Sequence, residues 1–240
     1  MIFPASKLNE IFNDISVIKG LFSCFGDFGV GKTTFAIQTG LNSLIPQKSI
    51  LYIYTKPELP IEKIKNISES YTTSLTPKLM ENLKLIKIID FKELFKASFN
   101  FEFLLLNGRK SEKNPINLII IDSLTDLYKI NLNPTKKEQN VKLNYQLHHL
   151  LANLKYLNKK YELEILLINE SSKDTKNGIL EEISSGGAVM DYWITYSLKI
   201  ERTEILNRRK LILFQPNQQI PLEFELDMTK NGFDDVSKIK

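Results

Sequence analysis

Residues Gly26-Asp27-Phe28-Gly29-Val30-Gly31-Lys32-Thr33 have the spacing G-x-x-x-x-G-K-[ST], and Thr34 follows directly. Glycines at 26, 29 and 31 let the backbone bend tightly and turn successive N–H groups inward, a concave arrangement that holds an anion. A helix starting at Thr33 would add the positive end of its dipole. Lys32 would then neutralise the β and γ phosphates of a nucleoside triphosphate, the Thr33 hydroxyl would ligate Mg²⁺, and Thr34 would assist from the helix start. Such a site needs a second acidic group beside the metal. Asp122 closes the apolar run Leu118-Ile119-Ile120-Ile121, and a carboxylate there is costly to bury without a cation or hydrogen bonds. The same side chain would equally serve as the N-cap of a following helix.

These residues need a strand before the glycines and another ending at Asp122. Leu21 to Phe25 is a short apolar run that reads as a buried strand, and Phe35, Ile37, Leu41 and Leu44 give helical spacing that stops before Pro46. Ser49 to Thr55 and Leu83 to Ile89 read as strands, with a polar stretch of helical fragments from Glu58 to Asn82 between them. Phe91 to Asn107 has Phe and Leu at roughly helical spacing. Leu118 to Asp122 has the pattern of a strand covered on both faces. After a polar loop from Asn131 to Asn140, the leucines at 143, 147, 150, 151, 154 and 157 specify a long amphipathic helix ending near Lys159-Lys160. Ile165 to Asn169 is a further buried strand. In the last quarter Tyr196 to Arg202, Leu211 to Phe214 and Leu222 to Leu226 are joined by links too short for parallel crossovers. The expected fold is α/β, one domain over residues 1–240: a mostly parallel twisted sheet flanked by helices, with an antiparallel C-terminal extension.

The composition suits that plan. With 240 residues and 42% hydrophobic content the chain can build a sizeable core, and a net charge of +4 neither demands nor repels a polyanion. Cys24 is the single cysteine, which rules out an intrachain disulfide or a cysteine-rich zinc site and suits a reducing cytoplasm. No apolar run reaches the roughly 18 residues of a membrane span, and the start lacks a signal-peptide layout, so a soluble cytoplasmic protein is expected. His148 and His149 are neighbours on the long helix and point in different directions, away from any metal-ligand set. Tyr192-Trp193, beside Gly186-Gly187, read as core aromatics, and Arg208-Arg209-Lys210 as a solvated hairpin turn.

The loop at 26–34, Asp122-Ser123-Leu124 after its apolar strand, the strand ending in Asn169 and the Ser185-Gly186-Gly187 step together resemble the RecA-type recombinases, among them the archaeal RadB group of short paralogues. Arg202, Pro221, Phe224 and Asn231-Gly232-Phe233 are similar to that family's C-terminal sheet. The resemblance covers most of the chain. It implies a RecA-like fold, binding of ATP and Mg²⁺, self-association or contact with a main recombinase, and a role as a recombination and repair accessory protein. It also implies DNA contacts from two loops, here 131–140 with Lys136 and Lys137, and 170–185 with Lys173 and Lys176. A KaiC-like regulatory ATPase acting on protein partners without DNA is the alternative.

Two positions depart from the family pattern. Where RecA-type ATPases have Tyr-Ile-Asp-Thr-Glu, the Glu activating the attacking water, this chain has Tyr52-Ile53-Tyr54-Thr55-Lys56. A lysine ammonium is a poor general base at neutral pH and would instead pair with phosphate. Glu58, two residues on, is a substitute base if the loop bulges. Where the pattern has Asn-Gln, a sensor of the γ phosphate, this chain has Asn169-Glu170, and Glu170 is a second alternative base. Lys32, Glu58 and Glu170 are thus the catalytic candidates, and weak or absent hydrolysis is expected.

Overall fold

The computed structural model describes residues 1–236 except 14, 16, 72–74, 111–113 and 177–178, and it leaves the side chains of 109–110 and 173–182 outside the description. The strands are β1 (Leu21–Gly26), β2 (Ser49–Tyr54), β3 (Leu83–Lys87), β4 (Ile116–Asp122), β5 (Glu164–Lys176), β6 (Ile179–Ser184), β7 (Ile194–Arg202), β8 (Arg208–Phe214), β9 (Leu222–Thr229) and β10 (Gly232–Asp235). The helices are α1 (Ser6–Phe12), α2 (Lys32–Asn42), α3 (Ile61–Glu69), α4 (Pro77–Met80), α5 (Phe91–Lys110), α6 (Leu124–Asn131), α7 (Lys137–Tyr161) and α8 (Gly187–Trp193). The sheet order is β10-β9-β8-β7-β1-β5-β4-β2-β3, with β6 paired to β5 as a hairpin. From β7 to β3 every neighbour is parallel, and β7 through β10 are antiparallel. This is the expected α/β plan with its antiparallel extension.

Strands buried on both faces explain the unbroken apolar runs. Phe22, Cys24, Ile50, Tyr52, Leu118 and Ile120 pack on one side with Phe35, Ile37 and Leu41 of α2 and with Ile64 and Ile67 of α3. Leu51, Ile53, Ile119 and Ile121 face the other layer, where α5, α6 and the leucine stripe of α7 lie. Burial pushes the Cys24 thiol well above its usual pKa, which leaves it an inert core residue. Helix α7 stops at Glu162, which adopts a left-handed cap at φ 53°.

Several local expectations need correction. The segment 131–140 is not one loop: Asn131 ends α6 and α7 begins at Lys137, because the first turn of the long helix is polar on every side and so carries no apolar stripe to announce it. The segment 170–185 is largely a β-hairpin, with Ser171 opposite Ser184, and the side chains of Lys173 and Lys176 lie outside the described residues. Helix α2 does stop before Pro46 as the spacing predicts, with Leu44 beyond its last residue, Asn42. Arg208-Arg209-Lys210 is not a turn but the start of β8. Tyr192 is not core: on α8 it is 73% exposed, while Trp193 packs against the core and donates through Nε1 to Nδ1 of His148 at 2.9 Å.

Candidate nucleotide site

The carboxyl ends of the parallel strands bring the chemical residues together, as is general for open α/β sheets. Register sets Gly26 opposite Glu170 and Tyr54 opposite Asp122. The glycine loop leaves β1 and enters α2 through Gly31, which is the N-cap at φ 108°, so the loop amides and the helix dipole face one cleft. That cleft, about 230 Å³, is lined by Phe28, Gly29, Lys32, Thr33, Lys56 and Glu170, among others.

Lys32 is 6% exposed. Its ammonium donates to the carbonyl oxygens of Gly26 and Asp27, both at 2.9 Å, and to Oε2 of Glu170 at 2.8 Å. Glu170 is itself anchored, its backbone N–H donating to Thr125 Oγ1 at 2.8 Å. Asp122 is fully buried. Tyr52 donates its hydroxyl to Asp122 Oδ2 at 2.9 Å, whereas Oδ1 has no hydrogen-bond partner among the described residues. Burial raises the Asp122 carboxyl above its ordinary pKa, against the pull of the Lys56 ammonium and the hydrogen bonds from Tyr52 and Thr33. A buried carboxylate with one oxygen unpartnered, at the cleft that Thr33 lines, fits a hard cation such as Mg²⁺. The N-cap of α6 is instead Ser123, whose Oγ accepts from Asp126 N at 3.2 Å.

Glu58 is exposed and is not among the residues that line the cleft, so the bulge that would carry it inward is not seen. Asn169, behind the site, donates to Ser23 Oγ at 2.7 Å. Three residues that sequence reasoning missed support the site, two of them bracing the loop from outside. Arg202 donates to the Phe28 carbonyl at 2.7 Å and lies 3.7 Å from Asp27. Arg209, which unlike Arg202 is buried, donates to the Val30 carbonyl at 3.2 Å. Tyr52 holds Asp122 as described. Continuing the alternation of Leu211 and Leu213 back through Arg209 would have put that arginine on the inner face of a strand. The other two basic residues of that stretch are occupied by acids on β9: Arg208 by Asp227 at 2.9 Å, and Lys210 by Glu223 at 2.7 Å.

Among the described residues no helix is long and apolar enough to cross a membrane. The family model described as Rad51 matches residues 6–236. A protein of Methanococcus maripaludis named "DNA repair and recombination protein RadB" is 34% identical over 206 residues, which is 86% of this chain and 86% of that protein. The RadB of Methanocaldococcus jannaschii is 31% identical over 199 residues, 82% and 84% of the two chains. That of Thermococcus sibiricus is 28% identical over 247 aligned positions, 100% of this chain and 97% of the relative. A parallel sheet with an antiparallel C-terminal extension, a glycine loop feeding α2, and relatives matched along nearly their whole length agree: the chain belongs to the Rad51 family, alongside the RadB proteins.

Proposed function

We propose that this protein binds ATP with Mg²⁺ at the 26–34 loop and acts in DNA repair and recombination as an accessory of a main recombinase, hydrolysing ATP weakly or not at all. The supporting observation is the Lys32 ammonium, held by loop carbonyls at the start of α2 in the cleft above a buried Asp122. Gly26 to Thr34 would cradle the phosphates, and Thr33 with Asp122 would hold the metal. Bound Mg²⁺ would supply charge neutralisation across the β and γ phosphates.

Slow turnover follows from what surrounds the phosphate end. Lys56 stands where a general base is needed, Glu58 lies outside the cleft, and Glu170 is tied to Lys32. The Glu170 carboxylate also competes with phosphate for that ammonium. Glu170→Gln is therefore expected to tighten ATP binding about tenfold with no rise in turnover. Calorimetric titration with phosphate release measured on the same preparation checks this, and weaker binding or faster turnover would contradict it.

DNA contact would come from the short connection between α6 and α7 and from the β5–β6 hairpin. Anisotropy with labelled single-stranded DNA, with and without ATP across a salt series, tests the recombination reading. Salt-sensitive binding is expected. No binding at low salt with ATP present would replace it with a KaiC-like regulatory role on protein partners.

A further inference from the structure

The end of β2 delivers a cation to two carboxylates. Thr55 is fastened to the end of β4 by three hydrogen bonds: its N–H donates to the Asp122 carbonyl at 2.8 Å, its hydroxyl donates to the Ser123 carbonyl at 2.9 Å, and the same oxygen accepts from Ser123 N at 2.6 Å. Lys56, the next residue, is thereby fixed over the start of α6, its Nζ 3.9 Å from Asp126 Oδ2. Lys56 lines the same cleft as Lys32 and Thr33, together with the exposed Lys63 and with Glu170. It is also the strongest opposing charge acting on Asp122 and on Asp126.

A divalent ion between a carboxylate and a polyphosphate does two things: it screens their mutual repulsion and it draws them together through coordination. An ammonium paired with Asp126 and close enough for its field to act on Asp122 already does the first. We propose that Lys56 is a resident counter-cation on the metal side of the phosphate cleft, so that ATP binds here with only a shallow dependence on divalent metal. Thr33 and Asp122 still accept Mg²⁺, but the electrostatic cost of bringing a triphosphate beside Asp122, Asp126 and Glu170 is offset by Lys56 and Lys32 whether or not the metal is present. The inference rests on the reading that this cleft holds ATP.

The test compares the affinity of a fluorescent ATP analogue in Mg²⁺ and in EDTA for the full-length wild type, Lys56→Ala, Lys56→Arg and Lys32→Ala, each first shown to be folded by circular dichroism. Removing Mg²⁺ should weaken the wild type and Lys56→Arg by less than about threefold, and Lys56→Ala by about tenfold or more, with Mg²⁺ restoring most of the loss. Equal metal dependence in wild type and Lys56→Ala, with binding still lost in Lys32→Ala, overturns this inference and leaves the nucleotide site standing. Wild-type binding that is absent, or indifferent to Lys32→Ala, in both conditions overturns both. Should Lys56→Ala not fold, Lys56→Gln answers the same question with the side-chain stem retained.

Discussion

Lys32→Ala should cost at least about a hundredfold in ATP affinity while leaving the fold in place. The ammonium makes three short contacts, two to loop carbonyls and one to Glu170. Charge-assisted hydrogen bonds of this kind are worth roughly 1.5–3 kcal/mol each, and a phosphate would draw on the same donors. Removing Lys32 takes away the point charge and leaves the Glu170 carboxylate uncompensated on the cleft wall, so repulsion of the phosphates adds to the lost attraction. Titration calorimetry together with a thermal melt reads both consequences. Affinity within threefold of the wild type would remove Lys32 from the phosphate site.

Gly31→Ala should act on stability as well as on binding. The residue sits at φ 108°, a conformation that L side chains rarely adopt, and a β-carbon there would lie 2.7 Å from both Met228 Sδ and the Phe233 ring. Met228 has room to shift. Phe233 does not, being 1% exposed, edge-on to Phe35, and fixed through its backbone to both ends of the Gln38 amide. Backbone strain and overpacking each cost about 1–2 kcal/mol, so a loss of about 3 kcal/mol is expected. For a chain of this size that corresponds to a fall in Tm of roughly 6–12 °C. Differential scanning calorimetry is the check, and a fall under 2 °C would show that the loop accommodates the methyl group.

What the amino-acid sequence revealed of this molecule follows from which forces act locally. Strands β1, β2, β4 and β5 are legible because burial on both faces demands unbroken apolar runs, and α7 because its leucines mark one stripe. The phosphate loop is legible because steric demand allows few residues besides glycine at its turns. Helix α8 was hidden: it is capped by Gly186 and begins on Gly187, and its only fully buried side chain is Met190. The start of β8 was hidden because its charges read as solvated, although the acids that neutralise them stand on β9, more than ten residues away. Arg202 and Arg209 were hidden for the same reason. Their acceptors are main-chain carbonyls of a loop more than 170 residues earlier, and no local pattern records such a contact.

Those two arginines, with the Gln38 clamp on Phe233, tie the loop and α2 to strands more than 170 residues further on. The loop is thus braced by strands far from it in sequence, so a substitution that loosens β7 or β8 is expected to weaken ligand binding at the loop along with stability.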